Sequence, residues 1–230
     1  MFKKTEKGAT SRNVDSSQST NEFGCIDDSY KINLGDYLDC EVSGEERYVN
    51  HYKDWAEDYS ARSRSQDFHP VEYYCGNMHY PINKGLRSGI LDICFDRFVA
   101  ALDKEISQAP RIPINTIVYR IIREDVINIL KRLSSEGKYF LEPAFMSTTV
   151  LLSELIKKED FNGARHALRI FVPKGARGIY IDQISTPHLM MEKEEHEIVF
   201  PRRSILRPYS YPVRLQQFPC ITFFDMIMIG

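Results

Sequence analysis

Between Gly44 and about Ser65 the large apolar positions Tyr48, Tyr52, Trp55, Ala56 and Tyr59 recur three and four residues apart, the spacing of one helix face. The pattern predicts a helix there, a second around Val71 to Tyr74, and a third over about Ile90 to Ile106 that turns Ile93, Phe98, Leu102 and Ile106 inward. Gly76 and Pro81 punctuate this stretch, and Pro110 with Pro113 close it. Past Pro113 the pattern changes to short apolar runs bounded by Pro, Gly and polar residues: Ile114 to Ile122, Ala144 to Thr149, Leu168 to Val172, Gly178 to Ile181, Glu197 to Phe200, and Ile221 to Ile229. Runs of that length and punctuation predict strands, interrupted by one helix at about Glu124 to Leu133. Helices first and strands later predict an α+β fold, with the helices packed on a mixed, mainly antiparallel sheet system.

Residues 1–22 are rich in Ser, Thr, Asn, Lys and Gln and nearly lack large apolar groups, so burial offers little to offset the entropy of ordering; a disordered polar tail is expected. The rest, 23–230, reads as a single catalytic domain, helical over about 44–110 and sheet-rich over about 111–230. A chain of 230 residues with 43% hydrophobic content is long enough to bury one sizeable core. The formal charge of -2, from 30 basic and 32 acidic residues spread along the chain, provides no field for nucleic acid or an anionic membrane. No apolar run is long enough to span a bilayer, and Met1-Phe2-Lys3-Lys4 leads into polar residues, which argues against classical secretion. The odd, scattered cysteines, Cys25, Cys40, Cys75, Cys94 and Cys220, read as reduced thiols, and the histidines show no metal-ligand spacing.

Three short signals carry candidate chemistry. Arg120 follows Ile117-Val118-Tyr119 in an apolar strand, where a lone cation needs a partner: a structural carboxylate, or the diphosphate of a ligand that its planar fork clasps. Ser147, Thr148 and Thr149 follow Phe145-Met146 and are equally suited to plain strand surface or to orienting a neighbouring carboxylate. In the acidic run 192–197, Glu192 with Glu194 and Glu195 with Glu197 are both same-face pairs if the chain is extended; only the second leads directly into Ile198-Val199-Phe200. By itself such a run is most simply a solvated loop. On a strand His196 points to the face opposite the glutamates and reads as a bystander rather than a metal ligand.

In this order, Tyr119-Arg120, then Phe145-Met146-Ser147-Thr148-Thr149, then Glu195-His196-Glu197, the chain resembles the arginine-serine-glutamate class of mono-ADP-ribosyltransferases, of the bacterial toxin or effector type. The likeness extends over roughly residues 44–225. Tyr74-Cys75-Gly76, Tyr80 and Ile82-Asn83-Lys84-Gly85-Leu86-Arg87 are similar to the family's helical segment ahead of the arginine strand. Pro173-Lys174-Gly175-Ala176 through Tyr180-Ile181 resembles the segment leading into the glutamates, and Ile198-Val199-Phe200-Pro201-Arg202 the segment after them. The resemblance implies a two-sheet core and a reaction in which NAD loses nicotinamide and ADP-ribose passes to a protein side chain, with no metal.

Carried over, Arg120 holds the NAD phosphates, Ser147, Thr148 and Thr149 line the cofactor site, and Ser147 positions Glu197. Glu197 binds the nicotinamide ribose and stabilises the oxocarbenium-like charge. Glu195 serves the acceptor, with arginine as the first expectation because the family's arginine modifiers carry glutamate there. A threonine or serine hydroxyl, for example of ubiquitin, is the alternative acceptor; an NAD glycohydrolase and a catalytically silent binding module are the alternative functions. The resemblance further implies a host protein as partner, reached through a bacterial injection system, for which the polar tail would be a signal. The loop Gln183 to Glu194 would face that partner, and residues 150–166, including Phe161 and Arg165, would border NAD. Ile121 stands where many relatives have glycine, and Thr149 where serine often ends the hydroxyl motif.

Overall fold

The helical face read from Tyr48, Tyr52, Ala56 and Tyr59 is buried on α2 (Glu46–Ser63) in a computed structural model that describes residues 33–63, 68–157, 166–184, 196–209, 212–216 and 218–229. The polar segment 1–22, Phe161, Arg165, most of the loop Gln183 to Glu194, and Glu195 lie outside the described residues. Ahead of α2, α1 (Cys40–Ser43) is capped by Asp39, whose side chain accepts from the Glu41 amide. The short α3 (Pro70–Tyr73) runs through a wide turn at Tyr74–Met78, kinked at Gly76, into α4 (His79–Ser88), the helix that carries the Asn83 and Arg87 segment. Gly89, at φ 71°, ends α4 in the left-handed conformation that glycine adopts without a Cβ clash.

Helix α5 (Ile93–Gln108) starts where Asp92 accepts from the Cys94 amide. Phe98, Leu102 and Ile106 are buried as expected, but Ile93 is 83% exposed. The reason is angular: Leu102 lies nine positions on, and at about 100° per residue the two side chains point in opposite directions.

The sheet-rich part contains β1 (Thr116–Ile121), α6 (Glu124–Ser135), β2 (Phe140–Glu142), β3 (Met146–Thr149), α7 (Leu152–Lys157), β4 (His166–Val172), β5 (Ile179–Tyr180), β6 (Glu197–Phe200), β7 (Ser204–Pro208), β8 (Val213–Leu215) and β9 (Phe218–Ile229). Their order is β2-β7-β9-β4-β1-β3-β6-β5, with β8 also on β9. Only β4 and β9 pair parallel among these strands, so the sheet system is mixed and mainly antiparallel. The array consists of two parts, β2-β7-β9-β4-β1 and β3-β6-β5, hydrogen-bonded to each other through a single register pair, Tyr119↔Thr149. β3 therefore joins the rest of the array only at the end of β1, beside Arg120.

Helix α2 packs on the smaller sheet through aromatic rings: Tyr48 and Tyr180 lie 5.6 Å apart at their centroids, and the Tyr52 hydroxyl donates to the Gly178 carbonyl at 3.0 Å in a buried setting. Tyr52→Phe removes that donor and leaves the carbonyl unsatisfied, so urea unfolding is expected to show a loss of about 1 to 2 kcal/mol with the m-value unchanged. Among the cysteines, Cys40, Cys75, Cys94 and Cys220 are free thiols. Burial pushes the Cys40 thiol up to about 12.

Candidate active site

Beside the junction of β1 with β3 lies a cleft of about 930 Å³ whose lining includes Asn83, Arg87, Arg120, Glu142, Ser147 and Glu197. Alternation along β1 decides which side chain enters it. The Tyr119 hydroxyl donates to Asp39 at 2.8 Å on one face, so Arg120 projects from the other. In β3 and β6 the pairs Thr149↔Glu197 and Ser147↔Val199 put Ser147, Thr149 and Glu197 on a common face. The three sequence signals are thus brought together, apart from Glu195.

Arg120 does not stand alone. Glu142, at the end of β2 and 5% exposed, takes a forked pair of hydrogen bonds from Arg87 Nε and Nη2 at 2.9 and 3.3 Å. Its Oε2 is 3.7 Å from Arg120 Nη1. The Ala144 amide also donates to Glu142 Oε1, at 3.2 Å, fixing the carboxylate from its own loop. One buried carboxylate therefore holds two guanidinium groups side by side at the cleft wall. Burial lowers the Arg120 pKa from its ordinary value; Glu142 opposes that, and the neighbouring Arg87 cation adds to it. An arginine remains charged throughout.

Arg120 Nη1 is buried yet has no hydrogen-bond partner, and the same holds for Asn83 Oδ1. Asn83 Nδ2 is engaged, donating to the Tyr74 hydroxyl at 2.8 Å. A buried donor and a buried acceptor left open on the lining of one cleft are groups that a polar ligand would satisfy. Glu142 and its link to both arginines were not found from the sequence. The available signal was an ionisable residue amid Phe140-Leu141 and Pro143-Ala144-Phe145, the same reasoning that singled out Arg120.

Glu197 opens β6 and is 7% exposed. Ser147 is partly buried on the lining. Thr148 also lines the cleft, and its hydroxyl donates to the Ile198 carbonyl at 2.9 Å, tying β3 to β6. The Thr149 hydroxyl bonds the Leu151 amide and carbonyl, both at 3.2 Å, shaping the exit from β3. His196 is not on a strand: its φ is 48°, and its Nδ1 lies 3.0 Å from Glu45 and 3.4 Å from Asp182. β6 begins one residue later, so strand alternation does not reach His196. Among the described residues no cluster of His, Cys, Asp and Glu is arranged to hold a metal ion, and no helix is long and apolar enough to cross a membrane.

Residues 48–208 match the family model described as ADP-ribosyltransferase exoenzyme. The chain belongs to that family. It is therefore an NAD-dependent ADP-ribosyltransferase of the bacterial toxin type. No curated protein is recognisably similar in sequence alone.

Solved structures share the ADP-ribosyltransferase fold. Plx2a, an ADP-ribosyltransferase toxin from Paenibacillus larvae, is 16% identical with a TM-score of 0.60, the match covering 80% of this chain and 94% of that one. C3stau2 from S. aureus, solved with NAD, is 18% identical with a TM-score of 0.60 over 82% of this chain and 95% of that one. The ADP-ribosylating toxin BECa of a binary enterotoxin of C. perfringens, solved with NADH, is 17% identical with a TM-score of 0.62; the match covers 84% of this chain and 50% of BECa.

The residues of the ADP-ribosyltransferase cleft fit NAD by their chemistry. Two guanidinium groups suit a diphosphate, a buried carboxylate suits a ribose that becomes cationic, and the open Arg120 Nη1 and Asn83 Oδ1 supply a further donor and acceptor.

Proposed function

We propose that this ADP-ribosyltransferase passes ADP-ribose from NAD to a side chain of a host protein, with arginine as the first acceptor class. In this reading Arg120 and Arg87 receive the diphosphate, Ser147 and Thr149 border the nicotinamide ribose, and Glu197 faces that ribose. As the bond between ribose C1′ and nicotinamide breaks, its electron pair leaves with nicotinamide, and the Glu197 carboxylate stabilises the positive charge left on the ribose. The acceptor nitrogen then bonds to C1′ and releases a proton, for which Glu195 is the base.

The observation that carries the proposal is the open Arg120 Nη1, buried on the lining of the cleft that Glu197 also lines. A guanidinium held by Glu142 but with a donor to spare is suited to a second anion, and a carboxylate on the same lining is suited to an adjoining cation. The Thr148 hydroxyl supports this site indirectly, by holding β3 to β6.

Incubating the purified protein with labelled NAD and eukaryotic lysate, then mapping labelled residues by mass spectrometry, tests the reading. Label on arginine is the expected result. Label on a threonine or serine, including one on ubiquitin, moves the acceptor to a hydroxyl. Free ADP-ribose with unlabelled protein makes the enzyme a glycohydrolase, and intact NAD in every lysate rejects the catalytic reading.

A further inference from the structure

The main chain just ahead of Glu197 is bent in a way that needs support. His196 has φ 48°, a left-handed conformation that a residue with a Cβ adopts only when its surroundings enforce it. The surroundings here are mostly one carboxylate. Asp182, two residues past β5 and with a side chain 5% exposed, accepts from the His196 amide at 2.5 Å and the Glu197 amide at 3.0 Å, one on each oxygen. The carbonyls of the same two residues are held as well, by the Val150 amide at 3.0 Å and the Ile181 amide at 3.1 Å. The His196 ring then reaches back. Its Nδ1 stands between Asp182 Oδ2 and Glu45 Oε2, with the Tyr180 hydroxyl at 3.4 Å. Carboxylates only accept, so the geometry puts a proton on Nδ1 and makes the ring a bridge from Asp182 to Glu45, the residue preceding α2.

We infer that Asp182 is a positioning residue of the transfer reaction, one that fixes the backbone turn at His196 and thereby the direction from which the Glu197 carboxylate meets the nicotinamide ribose. This rests on the reading of Glu197 given above. Two amides directed at one buried carboxylate form charge-assisted hydrogen bonds, stronger than neutral ones and geometrically restrictive. A shift of about 1 Å in a reacting group costs on the order of a hundredfold in rate, so a clamp on the Glu197 peptide acts on the chemical step more than on NAD binding. His196 has a smaller part: it ties the clamp to the helical half of the molecule, and its left-handed backbone is the feature that Asp182 enforces.

Kinetics of nicotinamide release by the full chain separate this role from a merely structural one. Asp182→Asn keeps the size of the side chain but offers one oxygen to two amides. Its kcat is expected to fall by about ten- to a hundredfold while KM for NAD stays within about threefold. His196→Asn, which tolerates the left-handed backbone but loses the bridge to Glu45, is expected to retain kcat within about fivefold, whereas His196→Val, β-branched and strained there, is expected to fall with Asp182→Asn. Amide hydrogen exchange supplies a readout independent of catalysis: protection at His196 and Glu197 drops in Asp182→Asn while that of β4 and β9 is kept. Undiminished kcat in folded Asp182→Asn, a loss lying wholly in KM, or unchanged protection of the two amides overturns the inference. Failure of the wild-type protein to release nicotinamide instead overturns the NAD reading, and the clamp is then decided by exchange alone.

Discussion

Replacing Glu197 by glutamine is expected to lower nicotinamide release by about a thousandfold, a loss of about 4 kcal/mol of transition-state stabilisation. The side chain is 7% exposed on the lining of the cleft. A carboxylate in such a place acts through less solvent than one on the surface, so its charge counts for more opposite a developing cation. Glutamine preserves the shape and removes the charge. Its effect should therefore fall on kcat, with NAD affinity changed by less than about tenfold, because in the proposed pose the diphosphate rests on Arg120 and Arg87. The fold should survive, since the main-chain bonds at residue 197, the amide to Asp182 and the carbonyl from Ile181, are untouched. Steady-state nicotinamide release, with circular dichroism and NAD titration as controls, checks this. A folded variant within tenfold of wild type would remove Glu197 from the centre of the mechanism.

The parts of this site that were legible in the sequence are those for which a local rule and the tertiary structure agree. Arg120 stood out because a charge in an apolar strand demands a partner, and the structure supplies one in Glu142. Glu197 was placed by its junction with Ile198-Val199-Phe200, which form β6. The helical half was legible from one apolar face, that of Tyr48, Tyr52, Ala56 and Tyr59. Where the reading failed, a rule was carried beyond its element. Period-two alternation extended to His196 placed it on a strand, although the strand has not yet begun there and the backbone is left-handed. Ile93 was grouped with Leu102 as apolar, although the helical angle between them is half a turn. Strands β2, β7 and β8 were missed because a charged residue or proline interrupts each apolar run, at Glu142, at Arg207-Pro208 and at Arg214, and the pairing of β2 and β7 is decided by partners distant in sequence. Glu142 sits in one of these. Its importance lies in a contact with Arg87 across 55 positions, which no local pattern encodes.

Arg120→Ala is expected to weaken NAD binding by about a hundredfold, or about 3 kcal/mol, with a smaller loss in the NAD-free protein. Two opposing terms decide the latter. Removing the guanidinium takes away an ion-pair partner of Glu142, but one at 3.7 Å, beyond hydrogen-bond reach, while the forked contact from Arg87 stays. The deletion also abolishes a buried Nη1 that has no hydrogen-bond partner, which returns part of what is lost. Binding has no such compensation, because a diphosphate draws most from a donor that is already desolvated and held in place. Arg120→Lys retains the charge but not the planar fork, and is expected to recover only part of the affinity. Thermal unfolding with and without NAD distinguishes these terms: the melting temperature without NAD moves by a few degrees, whereas the rise that saturating NAD gives the wild type largely disappears. Should Arg120→Ala keep the full NAD-induced rise, the diphosphate lies against Arg87 alone, and the open Nη1 of Arg120 is a cost of the fold with no part in binding.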